Sequence, residues 1–251
     1  MIDTVFFMDR VLPALNRGFI VSLELILPAA ALGFFLGLAL GAVRVYASPC
    51  IIRITDAFTT VIRGVPLLVQ LFFLYNCLPK IGMGLDTLLA LLTQALPESF
   101  RYDGELFRNV LLLEPFGAAL TGFILCSASY QSEYVRGALL SIRQGQIKAA
   151  RALGFSTTKM LVSIIIPQAL RRALPGCGNE IIYLIKYSSL AQIISCMELT
   201  GQAHVLAGRS YRYIEVYLAV GCYYLALTTA ASALLGRLEK KFAVPGFKTC
   251  P

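Results

Sequence analysis

The sequence predicts an all-α fold: a polytopic membrane helical bundle of about five transmembrane helices with one large cytoplasmic loop. Three observations predict it. Of the 251 residues only 14% are charged and 57% are hydrophobic, whereas soluble domains carry about a quarter charged residues, and the mean hydropathy is +0.72. The apolar residues come in uncharged blocks, Leu25–Val43, Gly64–Pro79, Pro115–Ser132 and Val216–Gly236. Such blocks approach the ~20 residues that a helix rising ~1.5 Å per residue needs to cross a ~30 Å hydrocarbon core. Lastly, the lysines and arginines gather between the blocks and favour one side of the membrane.

Five spans follow in order, at 19–43, 56–78, 112–135, 177–199 and 213–236, within a single transmembrane domain covering 1–251. The first follows Arg10 and Arg17, and its "LPAAALG" imitates a leader-cleavage site. The apolar run continues to Val43, too far for a cleaved leader, so the span is expected to be retained. After the second span, Thr87–Pro97 is apolar but too short to cross, and is expected to be an interfacial or re-entrant helix. The fourth span holds charges; the fifth is uncharged from Val216 to Gly236. With five spans, thirteen basic residues fall on one side and seven on the other, while Arg63 and Lys186 lie inside spans. The richer side is expected to be cytoplasmic, which puts the N-terminus outside and the C-terminus inside. No internal repeat is visible, which argues against a duplicated carrier architecture.

Composition excludes several function classes. The net charge of +8 is explained by inter-span loops meeting anionic membrane lipid, not nucleic acid. Seven cysteines lie scattered without a C-x-x-C pair and are expected to be buried free thiols. His204 is the only histidine, so no histidine metal site forms, and no catalytic nucleophile–base pair is legible. No G-x-x-x-x-G-K-[ST] phosphate loop occurs. This chain is expected to hold no cofactor and to be no enzyme by itself.

One segment breaks the apolar pattern. "GQIKAARALGFSTTKMLVSIIIPQALRRALPG", Gly145–Gly176, carries Lys148, Arg151, Lys159, Arg171 and Arg172 and no acid. Ile147–Leu153 is Ala-rich and helix-favouring. Gly154 can adopt the left-handed turn that ends a helix, and Ser156 can cap the next. A second helix then runs until Pro167 and Pro175 bend the chain back. The segment reads as a helix–Gly–helix elbow within a loop at 136–172, and its small residues and cations suit docking.

"KAARALGFSTTKMLVSIIIPQAL" resembles the cytoplasmic loop motif of ABC importer permeases, with Lys148, Ala149, Ala150, Gly154, Ile166 and Pro167 at its marked positions. Lys148 stands where that family usually has Glu. "RGVPLLVQLFFLY", "LPGCGNEIIYLIK" and "SSLAQIIS" are similar to the polar-amino-acid permeases of the histidine, glutamine and opine type, although Tyr187 replaces an Asp frequent there. The resemblance covers roughly Gly18 to Arg237. It implies that the elbow docks on a separate ABC ATPase subunit holding ATP and Mg, that two permease subunits, the same or related, form the path, and that a periplasmic binding protein delivers the solute.

Charges inside spans are costly and usually face a partner or an aqueous path. Glu24, Glu180 and Lys186 are therefore candidates for lining that path, with Gln70, Asn179, Ser188 and Ser189 as neutral contacts and Tyr75 beside Gln70. Asp56 and Arg63 are expected to pair at the inner face. An amino acid presents carboxylate and ammonium together. Two acids against one base favour a polar or cationic amino acid or an opine-like derivative. A permease for another small solute, or a stand-alone channel or carrier, stays open at this stage.

Overall fold

The computed structural model describes residues 4–93, 107 and 111–242. No strand occurs among the described residues. Among the described residues three helices are long and apolar enough to cross a membrane: α1 (Phe7–Tyr46), α3 (Leu67–Thr93) and α9 (Tyr213–Phe242). Between them lie α2 (Pro49–Gly64), α4 (Pro115–Leu140), α5 (Gln144–Ala152), the single turn α6 (Thr157–Met160), α7 (Ile166–Tyr187) and α8 (Leu199–Ser210). The expected spans at 19–43 and 213–236 lie within α1 and α9, and most of 112–135 lies within α4.

Two expected spans are corrected. The run 56–78 is not one helix. It breaks at Val65 and Pro66, both with extended ψ, because Pro66 has no N–H to continue the ladder and drives Val65 out of the helical region. The apolar helix then continues from Leu67 to Thr93, through a wide turn at Phe73–Cys77. Residues 87–93 continue the helix that begins at Leu67, and 94–97 lie outside the described residues. The run 177–199 is also divided. Its helix starts earlier, at Ile166, and ends at Tyr187; a tighter 3₁₀ stretch, Ser188–Ile194, leads to left-handed Ser195 (φ 64°), and α8 begins at Leu199. Hydropathy windows measure apolar length and miss such breaks.

The most extensive helix pairing joins α1 to α4. It is built on Gly33, Gly37 and Gly41, spaced by four on one face of α1. A Cβ at Gly37 would stand 2.6 Å from Gln131 Cβ, and one at Gly41 2.7 Å from Val135 Cγ1. Small residues at this spacing let two backbones approach in a membrane, where lipid removes most of the hydrophobic drive for association. α4 accordingly buries polar side chains, Ser127, Ser129, Gln131 and Ser132, against protein.

Four apolar clusters divide the packing. The largest joins Leu25, Leu71, Phe123, Leu184 and Ile194 from α1, α3, α4, α7 and the 3₁₀ stretch. A second ties Val11 and Leu15 of α1 to α8 and α9 through Leu199, Ala203 and Val216. A third sets Val135 and Ala138 against Ala169, Ala173 and Cys177. The fourth lies beneath the basic elbow, with Leu139 of α4 packed against it. The expectation that every cysteine is buried fails: Cys126, Cys177 and Cys196 are, whereas Cys50, Cys77 and Cys222 are exposed on helix surfaces.

Candidate functional site

The elbow folds as its residues dictate. α5 ends in a left-handed Gly154 (φ 77°). The Gly154 N–H donates to Arg151 O at 3.0 Å and the Phe155 N–H to Ala150 O at 3.1 Å, the paired bonds of a Schellman stop. Ser156 then accepts from the Lys159 N–H at 3.3 Å and opens the next turn. Ile142, Ala150, Met160 and Ile165 form a small core beneath. Lys148, Ala149 and Gly154 are exposed, as are Ile166 and Pro167 where α7 begins, whereas Ala150 is 3% exposed and belongs to that core. An acid at Ala150 would therefore break the elbow from within.

A second cluster lies deeper. Glu180 of α7 is 2% exposed, and its Oε1 has no hydrogen-bond partner. Tyr130 and Tyr134 of α4, Tyr187, and the thiols of Cys126 and Cys177 are within its electrostatic reach. Tyr183 and Tyr187 stack with ring centroids 6.0 Å apart. The Arg63 guanidinium stands 5.4 Å from the Tyr130 ring centroid, within cation–π range. A cavity of about 240 Å³ is walled by Val65, Pro66, Cys126, Tyr130 and Tyr187 among others. Neither Glu180 nor Arg63 is part of that cavity's lining, and Arg63 is held by Glu133 at 2.9 Å.

The other anticipated path residues scatter. Glu24 and Asn179 are exposed on α1 and α7. Lys186 is exposed, its Nζ 5.7 Å from the Tyr183 ring centroid. Ser188 and Ser189 donate to the carbonyls of Ile185 and Lys186 at 2.8 Å, steadying the 3₁₀ stretch. Gln70 donates both amide hydrogens to backbone carbonyls, Ile62 O at 2.7 Å and Val65 O at 2.8 Å. It staples the α2–α3 break by satisfying carbonyls that the lost helix turn leaves open. Tyr75 packs against the main core.

The expected Asp56–Arg63 pair is overturned. Seven residues bring two side chains to one face but ~10 Å apart along it, beyond pairing range. Asp56 instead accepts from Arg44 Nε at 2.5 Å. Glu133 of α4 takes Arg44 and Arg63, each at 2.9 Å, and Arg136 at 2.5 Å. This hub of one carboxylate and three guanidiniums ties α1, α2 and α4 together, and sequence spacing could not reveal it because its members lie far apart in the chain. Glu198 was also unanticipated. It is fully buried and accepts from the N–H groups of Thr200 (2.9 Å) and Gly201 (2.8 Å), from Ser22 Oγ (3.3 Å) and from Tyr224 Oη (3.1 Å). It caps α8 and fastens α8 to α1 and α9. The one available signal was an acid immediately before a helix-forming run.

Residues 33–244 match the family described as the binding-protein-dependent transport system inner membrane component. The chain belongs to this family. The permease is 34% identical over 233 residues to the octopine transport system permease protein of Rhizobium radiobacter, covering 93% of this chain and 87% of that one. It is 33% identical to the glutamine transport system permease protein of Escherichia coli K12, covering 93% and 94%. Among solved structures it is similar to an amino acid ABC transporter with histidines, at 29% identity and a TM-score of 0.78, covering 96% of this chain and 99% of that one. The matched region includes the elbow, Glu180 and the Glu133 hub.

Proposed function

We propose that this permease passes a polar or cationic amino acid, or an opine-like derivative, across the inner membrane as one subunit of an ATP-binding-cassette importer. The observation that carries the substrate class is Glu180, a buried carboxylate whose Oε1 has no hydrogen-bond partner among the described residues, within electrostatic reach of Tyr130 and Tyr187. Such a group is expensive inside a membrane, and a substrate ammonium would satisfy it. The relatives named for octopine and glutamine transport support the class. ATP and Mg belong to a separate ATPase subunit that the elbow contacts; a second permease chain and a periplasmic binding protein complete the assembly. The basic-residue asymmetry supports a periplasmic N-terminus and a cytoplasmic C-terminus.

The test is reconstitution of the complex with its binding protein, with ATP hydrolysis read against arginine, histidine, glutamine, octopine and a sugar. Stimulation by one of the amino-acid class is expected, and Glu180→Gln should lower it while leaving the binding protein's affinity unchanged. Stimulation by the sugar alone refutes the substrate class.

A further inference from the structure

We infer that the face of α7 formed by Asn179, Tyr183 and Lys186 is a water-lined wall with uncompensated positive charge, and that Lys186 takes the carboxylate end of the substrate there. This deepens the reading above and rests on it for the substrate. It is separate from Glu180, which lies ~120° round the helix from Lys186. The three residues are spaced by four and three, so they share one face. Asn179 and Lys186 are exposed, and so is Tyr183.

Two contacts with α9 fix the depth of this face. A Cβ on Gly178 would lie 3.3 Å from Leu235 Cδ2, and the Ser188 side chain interacts with Tyr224. α7 and α9 therefore run antiparallel, and Lys186 is level with the middle of the uncharged run Val216–Gly236. About 15 Å of helix separates that level from either end of the run. An ammonium facing lipid there is costly and too deep to snorkel to a headgroup; charges at such depth face protein or an aqueous cavity. No part of this chain covers Lys186, which leaves its face open to the path.

The charge on that face is not offset. Lys186 makes no ion pair among the described residues, and the residue beside it is a tyrosine, not an acid. Its Nζ stands 5.7 Å from the Tyr183 ring centroid, and Tyr187 stacks on Tyr183 at 6.0 Å. The ammonium is thus held over an aromatic face without being neutralised. The carbonyls of Ile185 and Lys186, at the end of α7, already accept from Ser188 and Ser189. A positioned cation beside an amide in a watery recess complements a carboxylate. An amino acid carries one and an opine-like derivative two, so the wall favours the carboxylate-rich members of the class.

The experiment places Asn179→Cys in the full complex in lipid nanodiscs. The thiol is labelled with an anionic sulfonatoethyl and a cationic trimethylammonioethyl methanethiosulfonate, and its modification is read by mass spectrometry. Asn179 is two turns, about 10 Å, from Lys186. Even at water's dielectric constant, a unit charge at that distance should raise the anionic-to-cationic rate ratio about fourfold. Adding Lys186→Gln should remove that preference, and adding Tyr187→Asp should remove it with the lysine still present. With saturating loaded binding protein, Lys186→Gln should lower stimulated ATP hydrolysis about tenfold, as for a lost contact to a charged group; Lys186→Arg should retain most of it. Arginine, histidine, glutamine and octopine are the stimulants, and size exclusion shows that each variant folds. Labelling by neither charged reagent means that lipid or protein covers the face and overturns the inference. Rates indifferent to Lys186 overturn the charge, and full stimulation of Lys186→Gln overturns its carboxylate role; all three results leave the importer reading standing. An unaltered complex stimulated by the sugar alone refutes that reading and the substrate half of this one, while the labelling still decides the wall.

Discussion

Replacing Gly37 with Ala tests the seam between α1 and α4. The added Cβ would lie 2.6 Å from Gln131 Cβ, 3.1 Å from Ala128 O and 3.3 Å from Ser132 N. The first contact is about 0.8 Å short of the 3.4 Å at which ordinary van der Waals distances begin. Two of the three neighbours are backbone atoms and the third is a Cβ, so no side-chain rotation relieves the clash and the helices must separate. Overpacking of this kind costs ~1–3 kcal/mol, and the gain in helix propensity from Gly to Ala returns up to ~1 kcal/mol. The net loss is about 1–2 kcal/mol, or a fall of roughly 3–6 °C in thermal midpoint for a chain of this size. Gly137→Ala is the matched control: it is the same substitution on α4, with nothing within 4 Å of the added carbon, and should raise the midpoint by a few degrees, about what ~1 kcal/mol yields. Both are read by fluorescence-detected size exclusion after heating in detergent. A Gly37→Ala protein as stable as the unaltered chain, or equal losses in the two variants, would refute the close-packed seam.

Three further outcomes follow from the side-chain networks. Glu198→Ala strands the buried N–H groups of Thr200 and Gly201 and should cost about 2–3 kcal/mol, with Glu198→Gln milder because one acceptor oxygen remains; a thermal midpoint unchanged by both refutes the cap. In a double-mutant cycle, Arg44 and Glu133 should couple by more than ~1 kcal/mol, since Arg44 is 7% exposed, while Arg63, 36% exposed, should couple to Glu133 by no more than ~0.5 kcal/mol. Equal couplings would show that burial does not rank these pairs. Gln70→Leu removes both bonds across the α2–α3 break and should cost about 1–2 kcal/mol, seen as faster proteolysis between Arg63 and Leu67; unchanged cleavage rates would show the staple to be dispensable.

Much of this was legible in the sequence, and what was missed has a physical pattern. Local chemistry read well: Gly154 takes the left-handed turn and Ser156 the cap, because both depend on residues within a few positions. Apolar blocks located α1, α4 and α9, since bilayer thickness sets their length. The break at Val65–Pro66 was marked by Gly64 and Pro66, yet the continuous hydropathy around it concealed that the helix restarts. Long-range polar partners were illegible. Arg44, Asp56, Arg63 and Glu133 meet only after α1, α2 and α4 have packed, and no spacing rule within one helix predicts that. Gln70 shows the converse error: a polar residue in an apolar run was taken to face a path, when its first obligation is to the carbonyls a proline has left open.

The core beneath the elbow runs directly into α7. Its last buried residue, Ile165, abuts the first residue of α7, so the small folded unit is the handle of a rod. Glu180 lies fourteen residues along that rod, about 21 Å at the usual rise. Between them Pro175 cannot donate to the carbonyl of Arg171, so the helix lacks one rung of its ladder there. The elbow and Glu180 are thus joined by one continuous helix, Ile166–Tyr187, whose hydrogen-bond ladder is weakest at Pro175.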